Sequence, residues 1–286
     1  MISDDFLDQL NRFNLVIQKR VTSNYVGTRE SVAMGHGLTF EDHQQYTPGD
    51  DYRRIDWKVY GRTDKLHVRR FEEERSLTIH ILTDASASMK FKKKWDYASM
   101  LTVGFAYLTL RENEKFQLST FAEEINSFRP KRGRAHLAQM IEILNNMKVE
   151  GKTDLIRAAR TVKKSIFSRS MIVVISDFLY PLEDIETALA LLGKNDLKII
   201  MLLDEKEYDL DFRGEYKLID SENKSMLKTF ISQRLRSGYK QKLDKHIADV
   251  KRIVQALGGE FHLVTTGMSI FDAFWEILRE KKARGK

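Results

Sequence analysis

The pattern of apolar and polar residues differs before and after residue 77. From there on, apolar runs of strand length alternate with segments of helical period, which is typical of a parallel sheet covered by helices. The predicted core strands lie at residues 77–83, 116–121, 171–176, 198–203 and 260–265. The predicted helices lie at residues 95–111, 134–147, 154–167, 183–193, 239–257 and 269–283. We therefore predict an α/β fold with a doubly wound, mostly parallel, Rossmann-like sheet.

Three segments depart from this alternation. The runs FQLSTFA and EEINSFR at 116–129 are too close for a helix between them, so we predict an antiparallel edge hairpin. Residues 205–238 are polar and weakly periodic, which indicates an insertion. Residues 1–75 are rich in turn signals and charge after an amphipathic helical start, and we predict that they form a small N-terminal subdomain. The α/β domain then spans residues 76–286.

Composition narrows the classes of protein to consider. A hydrophobic content of 42% over 286 residues is ample for a folded core. The absence of cysteine excludes disulfides and thiolate metal sites, and the seven histidines show no zinc-binding spacing. The start lacks the order of a signal peptide, and no apolar run approaches the roughly 20 residues of a membrane helix. We expect a soluble, cytoplasmic protein with no membrane span.

The charge is moderately basic, with a formal net charge of +7. Three basic clusters lie at residues 90–95, 129–134 and 279–286. Such clusters can attract nucleic acid, anionic lipid or an acidic protein, although a solvated charged surface is the more common explanation of each cluster taken alone.

Oxygen-bearing side chains lie in three loops next to the predicted strands and helices. Asp84, Ser86 and Ser88 come directly after the first core strand, at a spacing that turns all three side chains the same way in an extended loop. Thr153 precedes a predicted helix, and Asp177 directly follows the strand MIVVIS. Because the carboxyl ends of parallel strands share one edge of the sheet, we predict that these five groups meet there. Such a donor set suits Mg²⁺ first, or Mn²⁺ or Ca²⁺.

These positions resemble a known metal site. DASAS after a strand, a later threonine before a helix and an aspartate after a further strand are similar to the metal-ion-dependent adhesion site of von Willebrand factor type A domains. The matching residues are Asp84, Ser86, Ser88, Thr153 and Asp177. The resemblance implies a von Willebrand factor A-like fold and a metal that mediates protein–protein contact.

The charge of the donor set indicates how a bound ion would act. Only two of the five side chains are anionic, so a divalent ion would keep Lewis acidity and an open coordination position. We expect a carboxylate of an acidic protein partner to fill that position. Lysines that follow the metal loop directly are predicted to steer such a partner to the ion, and they are Lys90, Lys92, Lys93 and Lys94.

A second resemblance lies in residues 35–57, just before the α/β domain. This stretch resembles the signature of the domain-of-unknown-function 58 (DUF58) family, and the matching positions are Gly35, Gly37, Phe40, Tyr46, Gly49, Asp50, Asp51, Arg53, Ile55, Asp56 and Trp57. The resemblance implies a bacterial or archaeal protein working beside a MoxR-type AAA+ ATPase, as an adaptor to a client. The residues themselves favour a charge-bridged folded segment, which serves either structure or binding.

Two other functions compete with a metal-dependent adaptor. The same ion could activate water in a metal-dependent phosphoesterase, but no histidine or additional carboxylate is in a predictable position to act as a general base. Nucleic-acid binding through the basic clusters would depend steeply on salt and would need no metal, whereas metal-bridged docking would be abolished by a chelator. We predict a protein-interaction module that is not an enzyme.

Overall fold

The computed structural model describes residues 2, 6, 8–10, 39–72, 78–210, 214–219 and 226–279. The chain divides into one unit of residues 15–76 and a second unit that joins residues 1–14 to residues 77–286. The first residues thus differ from the predicted division at residue 75, and the reason is apolar burial. Ile2, Phe6 and Leu10, spaced four residues apart as on one face of a helix, are buried in the core of the α/β unit.

Residues 39–72, the described part of the smaller unit, contain a hairpin around a short helix. Strand β1 (Thr39–Gln45) pairs antiparallel with β2 (His67–Glu72), and helix α1 (Trp57–Thr63) lies between them in sequence. Ile55 pairs with Val68 in an isolated bridge, and both are buried.

Acidic residues of the DUF58-like signature cap turns of the backbone in this unit. Asp50 accepts hydrogen bonds from the backbone and hydroxyl groups of Thr47, Asp51 caps the 3-10 turn Tyr52–Arg54, and Asp56 caps α1. Capping stabilises these turns because it satisfies backbone N–H groups that the turn leaves unpaired. Gly35 and Gly37 of the signature lie outside the described residues.

The larger unit is built on a six-stranded sheet. Its strands are β3 (Thr78–Asp84), β4 (Lys115–Phe121), β5 (Ile125–Ser127), β6 (Met171–Ser176), β7 (Asp196–Leu203) and β10 (Glu260–Thr265). The order across the sheet is β10-β7-β6-β3-β4-β5, and all neighbours are parallel except the pair β4 and β5. The predicted mostly parallel sheet and its antiparallel edge hairpin are both confirmed.

Helices cover both faces of this sheet. They are α2 (Lys94–Arg111), α3 (Arg134–Asn146), α4 (Leu155–Lys163), α5 (Leu182–Leu192), α7 (Gln233–Ala256) and α8 (Ile270–Leu278). The alternation of side chains along β6 explains the two layers, because Val173 and Ile175 join the core under α2, α3 and α8, while Ile172 and Val174 join the core under α4, α5 and α7. The fold is therefore doubly wound.

The predicted insertion at 205–238 has structure of its own. It begins with the short helix α6 (Glu205–Asp209) and continues with a separate antiparallel hairpin of β8 (Gly214–Ile219) and β9 (Met226–Ile231). Helix α7 then begins at Gln233, six residues before its predicted start. The early start follows from the Ser232 hydroxyl, which accepts a hydrogen bond from the Leu235 backbone, whereas the exposed first turns lack an apolar stripe.

The strand order creates a switch point beside β3. The chain leaves β3 for β4 on one side of it and later returns as β6 on the other side. Helices that follow these two strands, α2 and α5, lie on opposite faces of the sheet, so a crevice opens between the carboxyl ends of β3 and β6. Ligands of open parallel sheets collect in such crevices.

Close packing of α2 against α8 depends on a missing side chain. A Cβ atom added at Gly104 would lie 2.0 Å from the Cζ atom of Phe274. The ring of Phe274 is fully buried and packs against Phe105, with 5.6 Å between ring centroids and 60° between ring planes. Since the ring is enclosed in the core, it has little room to move away.

Replacing Gly104 by Ala should therefore lower the free energy of unfolding by about 1–3 kcal/mol through overpacking. The matched control is Gly238→Ala in α7, where an added Cβ meets nothing within 4 Å. That control should raise stability by about 0.5–1 kcal/mol, because alanine has the higher helix propensity. Urea denaturation midpoints measure both changes, and an unchanged midpoint for the Gly104 variant would contradict the packing described.

Candidate functional site

The site lies at the switch point, where two neighbouring strands each end in an aspartate. Asp84 is the last residue of β3, and Asp177 directly follows Ser176, the last residue of β6. Both strands are parallel and pair from Ile79 onwards, so their carboxyl ends lie side by side. Asp84 has no exposed surface and Asp177 has 1%. The two predicted carboxylates are therefore buried at adjacent positions of one edge.

Neutral hydrogen-bond donors hold the carboxylate of Asp84. The Ser176 hydroxyl donates to Oδ2 at 2.6 Å, and the Thr153 hydroxyl donates to the same oxygen at 3.3 Å. The backbone N–H of Ser86 donates to Oδ1 at 2.9 Å. All three donors are electrically neutral, and they come from three different segments of the chain. Thr153 thus joins Asp84 as the sequence predicted, and Ser176 is an additional contact.

Ser86 and Ser88 lie together on the loop after β3. Ser86 is buried, Ser88 is partly exposed, and their hydroxyl oxygens are 3.1 Å apart at the start of the 3-10 turn Ala87–Lys90. Backbone hydrogen bonds from Ala87 to Gly151 at 2.9 Å and from Glu150 to Ala85 at 3.1 Å tie this loop to the segment that carries Thr153. The two loops are therefore held against each other by the main chain.

Asp177 has a different partner from Asp84. The ammonium group of Lys94 donates to Asp177 Oδ2 at 2.9 Å and to Glu207 Oε1, also at 2.9 Å. The side chain of Lys94, the first residue of α2, has no exposed surface. The other oxygen of Asp177 accepts from the Leu179 backbone at 3.4 Å.

The burial of Lys94 corrects one prediction. Lys90, Lys92 and Lys93 are exposed as expected of steering residues, but Lys94 is wrong in that role because its charge is enclosed and paired. The sequence offered one weak signal, since Lys94 lies directly before the predicted helix at 95–111 and the other three lie further from it. Glu207 gave no signal, because it lies in the polar segment taken as an insertion.

The loop after β6 is strained and presents an apolar side chain. Phe178 adopts a left-handed backbone conformation, with φ of 50°, while its ring is fully buried. Its carbonyl oxygen accepts a hydrogen bond from His246 Nε2 at 2.6 Å. The next residue, Leu179, remains 43% exposed beside the two carboxylates. Strain of this kind persists only where surrounding contacts enforce it, and it is common at functional sites.

A cleft of about 540 Å³ opens beside Thr153. Its walls combine charges of both signs with apolar surface, and they are formed by Glu123, Lys152, Thr153, Asp154, Leu155, Ile156, Arg157, Tyr180, Pro181 and Asp184. The cleft shares Thr153 with the candidate donor set and Tyr180 with the loop that carries Asp177.

Burial and charge shift the ionisation of these groups. Burial raises the pKa of the Asp84 carboxyl group and the nearby Asp177 carboxylate raises it further, to about 7, although hydrogen bonds from Ser176 and Ser86 act in the opposite direction. Burial by itself would lower the pKa of the Lys94 ammonium, but the carboxylates of Asp177 and Glu207 raise it above its ordinary value. Asp84 is thus an anion that its surroundings disfavour, whereas Lys94 is a cation that they stabilise.

The chemistry of Asp84 fits a bound cation. Its carboxylate is fully buried, and the contacts described for it are all with neutral donors, so a positive ion would stabilise its charge. Ser86, Ser88 and Thr153 add hydroxyl oxygens from the same edge, and hard divalent ions take such ligands. If Asp177 contacted the same ion, its negative charge would be shared between the ion and Lys94. Within the described ranges no three His, Cys, Asp or Glu side chains cluster as a metal site, so hydroxyl ligands would be essential.

The fold and this edge define a class of protein: a doubly wound α/β protein with an oxygen-rich ligand edge at its switch point. The family model described as "Protein of unknown function DUF58" matches residues 42–249 of this sequence. The chain belongs to the DUF58 family, which confirms the family indicated by the signature before the α/β domain.

Relatives in two bacterial genera are similar to this chain. The uncharacterized protein Rv1480 of Mycobacterium tuberculosis is 27% identical over 259 residues, which cover 87% of this chain and 81% of that protein. The uncharacterized protein YeaD of Bacillus subtilis is 24% identical over 165 residues, or 57% of this chain and 40% of that protein.

Two solved structures are also similar to this chain. The conserved hypothetical protein BatB from Bacteroides thetaiotaomicron has a TM-score of 0.43 at 14% identity, covering 71% of this chain and 97% of that one. The SpRpn10 VWA domain has a TM-score of 0.45 at 11% identity, covering 70% of this chain and 94% of that one. Among the described helices of this chain, none is both long enough and apolar enough to cross a bilayer.

The ionisation of Asp84 generates a pH prediction for the metal-free protein. Because the pKa of its carboxyl group is about 7 in the folded state against an ordinary 3.8, the folded chain keeps a proton that the unfolded chain releases between these values. The free energy of unfolding should therefore fall as the pH rises through this window. Asp84→Asn should remove that decline and gain stability relative to the wild type at pH 8.

Urea denaturation at pH 5 and pH 8 in the presence of a chelator measures this effect. The control is Asp154→Asn, an exposed carboxylate that caps α4, because asparagine caps helices equally well. If the Asp84 and Asp154 variants show the same dependence on pH as the wild type, the raised pKa of Asp84 is contradicted.

Proposed function

We propose that this protein is an interaction module that holds an acidic side chain of a partner through a divalent cation. Its cation ligands are Asp84, Ser86, Ser88, Thr153 and Asp177, with Mg²⁺ as the first choice and Mn²⁺ or Ca²⁺ as alternatives. The observation that carries the proposal is the fully buried Asp84 carboxylate, held by neutral donors from separate loops at the switch point of the sheet. A cation there would stabilise a charge that the fold otherwise disfavours.

The charge of such a loaded edge supports docking of an anion. Three of the five ligands are neutral hydroxyls, and the charge of Asp177 is already shared with Lys94. A divalent ion would then exceed the negative charge available to it, which favours an additional anionic ligand. A carboxylate from a protein partner is the simplest such ligand.

The surroundings of the edge support a protein as the partner. Leu179 offers an exposed apolar contact next to the carboxylates, and the cleft beside Thr153 provides apolar and charged walls for neighbouring residues of a docked segment. Apolar contacts beside a fixed polar anchor are the usual composition of a protein interface. Family resemblance adds a candidate: a MoxR-type AAA+ ATPase or its client, with this chain as the adaptor.

Docking through the metal is tested with Asp84→Ala. We expect this variant to lose Mg²⁺ binding in calorimetry and to lose binding to a purified MoxR-type ATPase of the same organism in biolayer interferometry. A chelator should abolish the binding of the wild type to the same extent. Asp154→Asn, which neutralises an exposed carboxylate next to Thr153 and keeps the cap of α4, should leave metal binding within about twofold, because exposed charges are screened.

Partner binding that survives both the Asp84 change and the chelator would reject the proposal. The competing functions have separate signatures in the same samples. A phosphoesterase would turn over a generic phosphoester with Mg²⁺ and lose that activity in the Asp84 variant. Nucleic-acid binding would fall steeply with salt and would ignore the chelator.

Steering by the exposed lysines is a separate prediction. Replacing Lys90, Lys92 and Lys93 together by Gln should slow association with the acidic partner about tenfold at low salt and leave Mg²⁺ affinity intact, since exposed charges act at long range on encounter. The matched control replaces exposed lysines away from this edge, namely Lys163, Lys164 and Lys194. Equal association rates for both triple variants would exclude steering.

A further inference from the structure

Lys94 is a fully buried cation at the edge that the proposed ion would occupy. Its ammonium group lies 2.9 Å from Asp177 Oδ2 and 2.9 Å from Glu207 Oε1, and its side chain has no exposed surface. An ammonium group loses its hydration on burial, and it is retained inside a protein only when carboxylates or other acceptors replace the lost water. Its two carboxylate contacts therefore hold Lys94 in place.

The two carboxylate contacts of Lys94 are not equivalent. Glu207 is fixed independently of Lys94, because its second oxygen, Oε2, accepts the Asp204 backbone N–H at 3.0 Å in a capping box at the start of α6. Asp204 is itself held by the Thr266 hydroxyl at 2.7 Å. Asp177, in contrast, faces the edge where Asp84 lies, and its charge acts on Asp84. Glu207 is thus a rigid anchor and Asp177 is the contact that an ion would share.

The two carboxylates of the proposed ion site differ in how readily they could bind a cation. Asp84 is held by neutral donors, whereas Asp177 already bonds a cation. A divalent ion next to Asp177 would be repelled by Lys94, and both cations would share the charge of one carboxylate, whose Oδ2 already bonds Lys94. The repulsion is strong because the groups are buried, where solvent screens little.

We propose that Lys94 sets the affinity of the edge for its cation by competing with the ion for Asp177, with Glu207 as the anchor that keeps the ammonium group nearby. This inference rests on the proposed function and names a residue that tunes the same site. Lys94 keeps the ion weakly held and short of negative charge. That shortage makes an external carboxylate a better ligand, so partner docking and ion binding reinforce each other.

The proposal predicts opposite effects for two neutralising changes. Lys94→Met removes the competitor and should tighten Mn²⁺ and Mg²⁺ binding about tenfold, the size of effect expected for one charge at short range. Glu207→Gln leaves Lys94 with Asp177 as its charged partner and should weaken binding of both ions by a similar factor. Lys93→Met, an exposed neighbour, should change affinity less than about twofold because solvent screens its charge.

Affinity is measured with the full chain by isothermal titration of Mg²⁺ and by electron paramagnetic resonance of free Mn²⁺. A role of Lys94 in packing alone predicts that both buried changes weaken ion binding, since each disturbs the same buried contacts. Tighter binding by Lys94→Met together with weaker binding by Glu207→Gln supports the proposal. Equal or weaker binding by Lys94→Met overturns it.

The Lys94 variant leaves two buried carboxylates without their cation, so its fold is first checked by circular dichroism. Should it not fold, Lys94→Gln takes its place, because the uncharged amide can still bond a carboxylate: tighter ion binding supports competition, and equal or weaker binding overturns it. A wild-type chain that binds neither ion would overturn the proposed function, and this inference with it. A wild-type chain that binds them, with a Lys94 variant that binds no better, overturns this inference alone.

Discussion

Two carboxylates are buried at the ends of neighbouring strands. The other contacts at this edge of the sheet depend on how each carboxylate is stabilised there. A buried anion needs hydrogen-bond donors or a cation, since the interior stabilises charge poorly. Asp84 and Asp177 meet this need in different ways, the first with neutral donors from Ser86, Thr153 and Ser176 and the second with Lys94. The loops after β3 and before α4 supply donors to Asp84, and the segment after β7 supplies Glu207 as the second partner of Lys94.

The unequal treatment of the two carboxylates has a chemical consequence. If both carboxylates were paired with cations of the protein itself, their charges would be neutralised. The edge would then have only a structural role. Because Asp84 is held by neutral donors, the fold keeps a carboxyl group whose charged form is disfavoured. A cation bound there would have few anionic ligands. Under the proposed function, this shortage would favour binding of an acidic group from a partner. Under that proposal, stability and binding would depend on the same residues.

The buried sheet supports the loops that form this site. Side chains on both faces of β3, β6 and β7 are buried in two apolar layers, so the strand ends are rigid platforms. Rigid strand ends allow the connecting loops to adopt unusual conformations, such as the left-handed Phe178 that turns Leu179 outward. The acidic signature residues at 50–56 behave differently, because they cap turns within their own unit.

Much of this structure is determined by the sequence on its own. Apolar runs of strand length and periods of 3.6 residues are local properties, so β6 was predicted at 171–176 and found there, and α2 began one residue before its predicted start. The donor residues could be named because parallel strands end at a common edge. Only the tertiary structure decided the role of Lys94. The four lysines of KFKKKW look alike in sequence, and the orientation of the first turn of α2 turns one of them inward to two carboxylates that are 83 and 113 residues away.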